Sequence, residues 1–395
     1  MITRREFLKR SAAVSAVTLL SPATRSFAAA AKLEGYEVKG LRVPVFEANA
    51  VTAMVLGNDG LIYCGLTGKR RVLAALDPRN NSIRDLGDIY PDNPKTSGIL
   101  DKIHNALVKA PDGSLYIGQG LNIADGYPMN FHSHGYDGGH LFRYEPGKGQ
   151  LTDLGPQVRG EAIQGMTIDP QGRYIAGYSI PGNHFFVHDL KTHEVTDYGR
   201  ISQMAHHNLV CDKSGVTWGC WNCAHAAKGD AVHADGCYLM RYDHTKRLFE
   251  RTTIEVPTAS FRSVSPARNK SWNNGFDSAC SARDGSIYFG ISTPGNLCRL
   301  RPNFNKVELL AQPVRTSRMP VLAEAADGRI VGFGGFPQME LFIYDPPRSS
   351  LKKHGVVLPQ YDLCIFHAMV VLSDGRIYAG ETDANRANIY CLTPK

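Results

Sequence analysis

Residues 281–291 read SARDGSIYFGI, in which the pair Asp284-Gly285 separates two short apolar runs. An Asp-Gly pair between strand-like runs is typical of a hairpin, and we expect a type I′ turn with positive φ at both turn residues. Related pairs recur along the chain, and an apolar, aromatic-rich run follows each one. There are seven: Asp59-Gly60, Asp112-Gly113, Gln171-Gly172, Ser214-Gly215, Asp284-Gly285, Asp327-Gly328 and Asp374-Gly375.

Most copies of this unit contain a second hairpin. Its first strand is visible at residues 141–146, 185–190, 238–243, 297–302 and 341–346. Four strands repeated every ~45 residues are typical of propeller blades, none of which can bury both faces alone. The sequence therefore predicts an all-β fold, a seven-bladed β-propeller of four antiparallel strands per blade. We expect residues 33–395 to form it as one domain.

The N-terminus has the order of elements found in an export signal. Residues 3–9 (TRREFLK) contain an arginine pair, residues 12–20 are apolar, and residues 26–28 (SFA) form a small-residue cleavage site. This pattern resembles a twin-arginine signal peptide, predicted at residues 1–28. It implies the twin-arginine export machinery as a partner and a periplasmic or secreted location.

The charge of the chain does not indicate a nucleic-acid partner. The formal net charge is +7, and removing residues 1–28 leaves +3. So small a surplus still permits local attraction of acidic substrates if arginines gather around one opening. No apolar run in the mature chain is long enough to span a membrane, so we expect no membrane span.

Several histidines and one arginine fall where strands start or end on one face of the ring. In a four-stranded blade the first and third strands begin on the same face, where the second and fourth end. Aligning the repeats on their turns places His104, His207 and His367 at the starts of innermost strands, while His140 and His184 start third strands. Arg200 ends the fourth strand of blade three. We predict a functional cluster on this face, because sites are usually built in connections on a rigid scaffold.

The long insertions fall on the same face, at residues 119–139, 219–236 and about 252–275. They contain histidines, arginines and aromatic residues that could contact a substrate. We expect six residues to bind substrate: His134, Tyr136, His207, Arg262, Trp272 and His367.

Three segments carry a resemblance to a known family. Residues 102–107 (KIHNAL), 112–118 (DGSLYIG) and 138–144 (GGHLFRY) resemble the seven-bladed propeller polysaccharide lyases, which include ulvan lyases and rhamnosyl-glucuronate lyases. The similarity extends through residues 177–190 and 198–200 and fades in later blades. It implies β-elimination at a uronic acid, in which a base removes the C5 proton and an acid protonates the oxygen leaving C4.

The resemblance also implies catalytic residues. His104 and His140 match the family's paired histidines, and Arg200 matches the arginine that would hold the uronate carboxylate. His184 stands where relatives are expected to have a tyrosine, so either it replaces the phenol or the chemistry differs. The expected substrate is an acidic glycan or oligosaccharide.

Other functions stay open on the residues alone. A glycoside hydrolase would need two carboxylates, and the candidates are Asp125, Asp137, Glu161 and Asp277. A non-catalytic propeller could bind a glycan or protein through arginines and aromatic residues such as Tyr127, Phe131, Tyr136, Trp221 and Trp272. A redox protein or metalloenzyme would be compatible with twin-arginine export.

The cysteines suggest one metal site. The chain has nine cysteines, an odd number that leaves at least one unpaired. Residues 220–225 (CWNCAH) have a Cys-x-x-Cys spacing that can chelate one ion, here Cys220 and Cys223, with His225, His233 and Cys237 nearby. We predict a zinc or calcium ion at Cys220, Cys223, His225 and Cys237, with a disulfide-stapled loop as an equal alternative. No organic cofactor is expected. A weaker metal possibility uses His206, His207 and His367.

Overall fold

The computed structural model describes most of the chain within the compact unit Lys32–Lys395. The described residues are 33–45, 48–68, 72–89, 101–121, 137–202, 207–221, 224–226, 232–234, 237–257, 275–292, 295–315, 318–382 and 386–395. Only the backbone is described at residues 101, 121, 224–226 and 232–234. The predicted targeting segment, residues 1–28, lies outside this part of the chain. No helix among the described residues is long and apolar enough to cross a membrane.

The described residues form seven four-stranded antiparallel sheets, which confirms the predicted seven-bladed propeller. We number the blades in chain order and name their strands A to D from the axis outwards. Blade 1 comprises β2 (Ala48–Leu56), β3 (Ile62–Gly68), β4 (Val72–Asp77) and β5 (Ser82–Asp88). Blade 2 comprises β7 (Leu107–Lys109), β8 (Leu115–Gly118), β10 (His140–Glu145) and β11 (Gln150–Pro156). Blade 3 comprises β12 (Ala162–Ile168), β13 (Tyr174–Ile180), β14 (His184–Asp189) and β15 (Val195–Arg200).

The remaining blades repeat the order. Blade 4 comprises β16 (Val210–Cys211), β17 (Val216–Trp221), β20 (Tyr238–Asp243) and β21 (Leu248–Glu255). Blade 5 comprises β22 (Phe276–Ser281), β23 (Ile287–Ile291), β24 (Leu297–Arg301) and β25 (Lys306–Ala311), with one 3₁₀ turn at Pro302–Phe304. Blade 6 comprises β26 (Val321–Glu324), β27 (Ile330–Gly334), β28 (Glu340–Asp345) and β29 (Ser350–Val356). Two small sheets pair β6 (Asp101–Lys102) with β9 (Gly120–Leu121), and β18 (Ala224–Ala226) with β19 (Val232–Ala234).

Blade 7 closes the ring by joining the two ends of the described chain. Its inner strands are β30 (Ile365–Val371), β31 (Ile377–Thr382) and β32 (Asn388–Pro394). Its outer strand is β1 (Tyr36–Arg42), which pairs with β32 in antiparallel register. Main-chain hydrogen bonds within blade 7 therefore hold the two ends of the described chain together, and no blade is left without a neighbour.

The turns between strands A and B differ from the predicted type. In the turn that ends at Gly285, the Gly285 N–H donates to Ala282 O and only Gly285 has positive φ, 81°. The six equivalent glycines also have φ between 69° and 88°, and no residue directly before them has positive φ. The type I′ prediction was therefore wrong: each turn is type I followed by a left-handed glycine, a role that also favours an Asp-Gly pair.

The hydrophobic core lies between neighbouring blades. Phe333 of blade 6 packs on Phe366 of blade 7 with ring centroids 4.9 Å apart, and Tyr288 and Phe342 share a fully buried cluster between blades 5 and 6. Each such side chain contributes about 1.5–3 kcal/mol by leaving water. The sheets are therefore locked face to face, and they hold the starts of the seven A strands in fixed positions around the axis.

Candidate functional site

Four A strands carry a β-bulge at the same place. The register with strand B skips one residue, and the skipped residue is polar in each case: Thr52, Gln164, Asp277 and His367. A bulge leaves the extra residue out of the ladder and re-aims its side chain. All four stand seven residues before the first residue of the pair that marks the A–B turn.

The other three blades have shorter A strands and place a polar residue three positions before the strand begins. These residues are His104, His207 and Arg318. Side chains of different blades meet here: the His104 ring lies 5.2 Å from that of His207 and 5.6 Å from that of His367, measured between centroids. Blades 2, 4 and 7 are not all neighbours in the ring, so their side chains can meet only at its axis. We call the seven residues the axial site: Thr52, His104, Gln164, His207, Asp277, Arg318 and His367.

The hydrogen bonds define the tautomer of His104. Its Nδ1 lies 2.9 Å from the main-chain O of Gln164, and a carbonyl oxygen can only accept. Nδ1 therefore carries the proton, and Nε2 keeps a lone pair. His104 is 2% exposed. Burial, followed by the charge of Lys102, lowers its pKa well below the ordinary histidine value. The ring is consequently a neutral imidazole at neutral pH.

Arg318 is the cation of the axial site. Its Nη2 donates to His367 Nε2 at 2.7 Å, and its Nε lies 3.4 Å from Asp277 Oδ2. The backbone at Arg318 has φ 83°, an unusual conformation for a non-glycine residue. Two main-chain bonds hold it there, since the Arg318 N–H donates to Ser292 O and the Gly335 N–H donates to Arg318 O. Backbone strain of this kind is typical of functional positions.

Asp277 balances that charge. It is 1% exposed, and its Oδ2 accepts the Met319 N–H at 2.5 Å. Burial alone would raise its pKa, but the Arg318 charge and the nearby His207 lower the pKa to about 2. Its Oδ1 faces His207 Nδ1 at 3.8 Å, which is too long for a hydrogen bond. Asp277 is therefore a buried carboxylate, not the solvated rim acid considered for a hydrolase.

The other two imidazoles are also held neutral. Burial lowers the pKa of His207, with Asp277 opposing the shift and Arg318 adding to it. Burial and Arg318 lower the pKa of His367 well below its ordinary value. Lys102 contributes in the same direction to both. The described axial site thus combines neutral rings with one Arg–Asp pair, beside a lysine.

Three buried polar atoms of the axial site have no hydrogen-bond partner among the described residues: Gln164 Oε1, Asp277 Oδ1 and His367 Nδ1. Because His367 Nε2 accepts from Arg318, its Nδ1 carries a proton and is an unused donor. A buried polar group without a partner costs about 1–3 kcal/mol. Three such atoms at one place indicate a site for a polar ligand or ordered water.

The other predicted catalytic residues lie further out on the same face. His140 and His184 begin strands C of blades 2 and 3, two strand spacings or about 10 Å from the A strands. Each Nδ1 contacts a carboxylate of strand D at 2.9 Å, Asp153 for His140 and Asp197 for His184. Arg200 pairs with His184 across strands C and D. The structure thus groups His104 with His207 and His367, and His184 with Arg200.

Several predicted positions lie outside the described residues or side chains. These are Asp125, Tyr127, Phe131, His134, Tyr136, His206, Cys223, His225, His233, Arg262 and Trp272. Of the predicted metal ligands, Cys220 and Cys237 are described: both are fully buried and unbridged. A hydrogen bond with the Cys220 thiol, and burial, hold the pKa of Cys237 well above its ordinary value. Among the described residues, no group of three or more His, Cys, Asp or Glu side chains is arranged to hold a metal.

Three members of the axial site were not predicted from the sequence: Thr52, Gln164 and Arg318. Arg318 was not singled out, because it stands nine residues before its turn, while five of the other six stand seven before theirs. Thr52 and Gln164 were also missed, although both have the common spacing. The signal that could have found them is a polar residue seven positions before each A–B turn.

A second cleft lies on the opposite, turn-bearing face between blades 5 and 6. Its volume is about 980 Å³. Its arginines are already paired, Arg283 with Glu324 at 3.1 Å and Arg348 with Asp345 at 2.7 Å. Charges compensated within the wall leave little to attract a substrate, so we assign the candidate site to the axial face.

Comparison with known proteins supports the fold. No family model matches the chain, and no curated protein matches it in sequence. A catalytically inactive histidine-to-alanine variant of virginiamycin B lyase from Staphylococcus aureus, with quinupristin, has 11% identity and a TM-score of 0.61, covering 91% of this chain and 100% of its own. The extracellular domain of the BT4673 one-component system from B. thetaiotaomicron has 14% identity and a TM-score of 0.56, covering 91% of this chain and 40% of its own. A chain of the mitotic checkpoint complex has 13% identity and a TM-score of 0.56, covering 96% of both chains. At such identities the likeness extends to the seven-bladed propeller fold alone.

Proposed function

We propose that the protein is an exported carbon–oxygen lyase that cleaves an acidic glycan or oligosaccharide at C4 of a uronic acid by β-elimination at the axial site. The observation that carries this proposal is the convergence of a neutral imidazole, His104, with the partly satisfied guanidinium of Arg318. These are the two groups that the first step requires. A base must take a weakly acidic proton, and a cation must neutralise the carboxylate beside it.

Each group has the protonation state that its role needs. His104 presents Nε2 as a lone pair because Nδ1 donates to a main-chain carbonyl, so Nε2 can accept the C5 proton. Arg318 stays charged at any working pH. Its Nη1 has no described hydrogen-bond acceptor, and the side chain is 11% exposed, so that edge can receive the substrate carboxylate. Stabilising the developing enolate in this way lowers the barrier most where water is excluded.

Further support comes from outside the axial site. The resemblance in blades 2 and 3 points to polysaccharide lyases, and one solved propeller of this fold is a lyase inactivated by loss of a histidine. His184 and Arg200, on the same face, would contact sugar units or acidic groups further from the axis. The alternative is a propeller that binds a glycan or protein without cleaving it. One solved chain with this fold is part of a protein complex.

The test is an elimination assay. The mature protein is incubated with a panel of uronate glycans, including ulvan and rhamnose-capped glucuronans, and the ultraviolet absorbance of the unsaturated uronate is followed. We expect a rise with at least one glycan, reduced about 10²- to 10⁴-fold in His104→Gln and unchanged in His193→Asn, an exposed turn histidine on the opposite face. Binding without any rise would favour the non-catalytic alternative.

A further inference from the structure

Elimination needs a base and an acid at the same time, and the described axial site has no protonated histidine. Burial, Arg318 and Lys102 together hold all three rings neutral. The proton for the leaving oxygen must therefore be taken up from solvent when substrate binds, because none of the three rings carries it in the free protein. The three rings differ in their ability to accept it.

Two of the rings cannot supply this proton. His104 must enter the reaction neutral, because its Nδ1 donates to a carbonyl and its Nε2 has to accept the C5 proton. His367 receives the Arg318 N–H at Nε2, at 2.7 Å. Protonating that nitrogen would break the bond and set two cations against each other.

His207 is different because it faces a carboxylate. Its Nδ1 lies 3.8 Å from Asp277 Oδ1, the oxygen that has no hydrogen-bond partner in the described residues. An imidazolium at His207 would draw this contact into a charge-assisted hydrogen bond and satisfy Oδ1. In the imidazolium both nitrogens carry protons, so Nδ1–H faces the carboxylate and the proton available for transfer is the one on Nε2.

Positive charge nearby opposes this protonation in the free protein. The described charged and titratable groups acting on His207 are Asp277 of blade 5, Arg318 of blade 6, Lys102 ahead of blade 2 and the rings of His104 and His367. Asp277 favours the cation, whereas Arg318 and Lys102 oppose it. An anion bound at Nη1 of Arg318 would offset part of the positive charge that disfavours protonation of His207.

We infer that binding of a substrate carboxylate at Arg318 causes His207 to take up a proton on Nε2, and that His207 then acts as the general acid. This inference rests on the proposed function. The protons balance: the C5 proton moves to His104 Nε2, its bonding electrons form the C4–C5 double bond, and the C4–O bond breaks. The leaving oxygen receives the His207 proton, and solvent removes the proton left on His104 as the product departs.

The experiment is isothermal titration calorimetry of D-glucuronate, which has no C4 glycosidic bond to break. Titrations at about pH 6.5, the ordinary pKa of histidine, are run in phosphate and in Tris, whose ionisation enthalpies differ. We expect wild type to take up roughly half to one proton per ligand, and affinity to weaken by up to about tenfold per pH unit as pH rises through this range. His207→Gln should still bind but lose most of the uptake, and His193→Asn should match wild type.

The outcomes separate the two claims. If neither glucuronate nor a uronate oligosaccharide binds, the proposed function and this inference both fail. If glucuronate binds without net proton uptake, only the inference fails, and uptake that persists in His207→Gln overturns the assignment to His207. If His207→Gln does not fold, histidine ring resonances of wild type provide the same test by NMR. One ring must then titrate at higher pH with glucuronate bound than without it.

Discussion

Replacing Arg318 by methionine should reveal how strongly the axial site depends on its one Arg–Asp pair. The change removes the charge nearest to Asp277 and leaves a buried carboxylate uncompensated, which usually costs about 3–5 kcal/mol of stability. At an effective dielectric constant of about 20, charges about 3.5 Å apart attract by roughly 5 kcal/mol, part of which offsets desolvation. Burial raises the pKa of Asp277, whereas Arg318, His207 and the Met319 N–H lower it, so Arg318 is one of several groups that stabilise the carboxylate. We therefore expect a coupling energy of about 2–3 kcal/mol, below the Coulomb figure and within the range of contacting pairs.

The assay is a double-mutant cycle. The free energy of unfolding in urea is measured at neutral pH for wild type, Arg318→Met, Asp277→Asn and the double variant. The control cycle uses Arg348→Met and Asp345→Asn, a pair 2.7 Å apart whose arginine side chain is 81% exposed, where we expect less than about 1 kcal/mol. A coupling between Arg318 and Asp277 no larger than the control value would refute the electrostatic reasoning.

Three further predictions concern other parts of the molecule. If Arg200 contacts acidic groups away from the axis, Arg200→Met should raise KM for long glycans several-fold and leave kcat nearly unchanged; a large loss of kcat would place it in the chemistry. Burial, followed by the neighbouring His193, lowers the pKa of His188 to about 4, so folding loses stability as pH falls from about 6.5 towards 4. Urea unfolding should show wild type losing about 2 kcal/mol more than His188→Gln between about pH 7.5 and pH 5; equal losses would contradict this. The zinc hypothesis predicts one zinc ion per chain that Cys237→Ser loses, measured by plasma mass spectrometry, whereas a zinc-free protein with a Cys220–Cys237 disulfide would contradict it.

The blade repeat could be predicted from the sequence because its signal is local. Each A–B turn needs a glycine in the left-handed conformation, so the seven pairs show the blades without any knowledge of long-range contacts. The exact turn type was missed because glycine after aspartate serves both type I′ turns and type I turns with a bulge. Ring closure by Tyr36–Arg42 was not predicted, since pairing between the chain ends leaves no local pattern.

The axial site could be predicted only in part. The positions of His207 and His367 followed from their spacing to the turn, and the structure brings both rings to His104. Asp277 was expected on the rim, because strand alternation does not reveal the bulge that buries it. Arg318 depends on a backbone conformation set by Ser292 and Gly335, which are distant in sequence.

The most direct test of the central claim is a crystal structure of the His104→Gln variant with a uronate oligosaccharide. We expect a uronate carboxylate within hydrogen-bonding distance of the Arg318 guanidinium, with C5 facing residue 104. A uronate carboxylate bound at Arg200, with no sugar at the axis, would contradict the assignment of the active site to the axial residues.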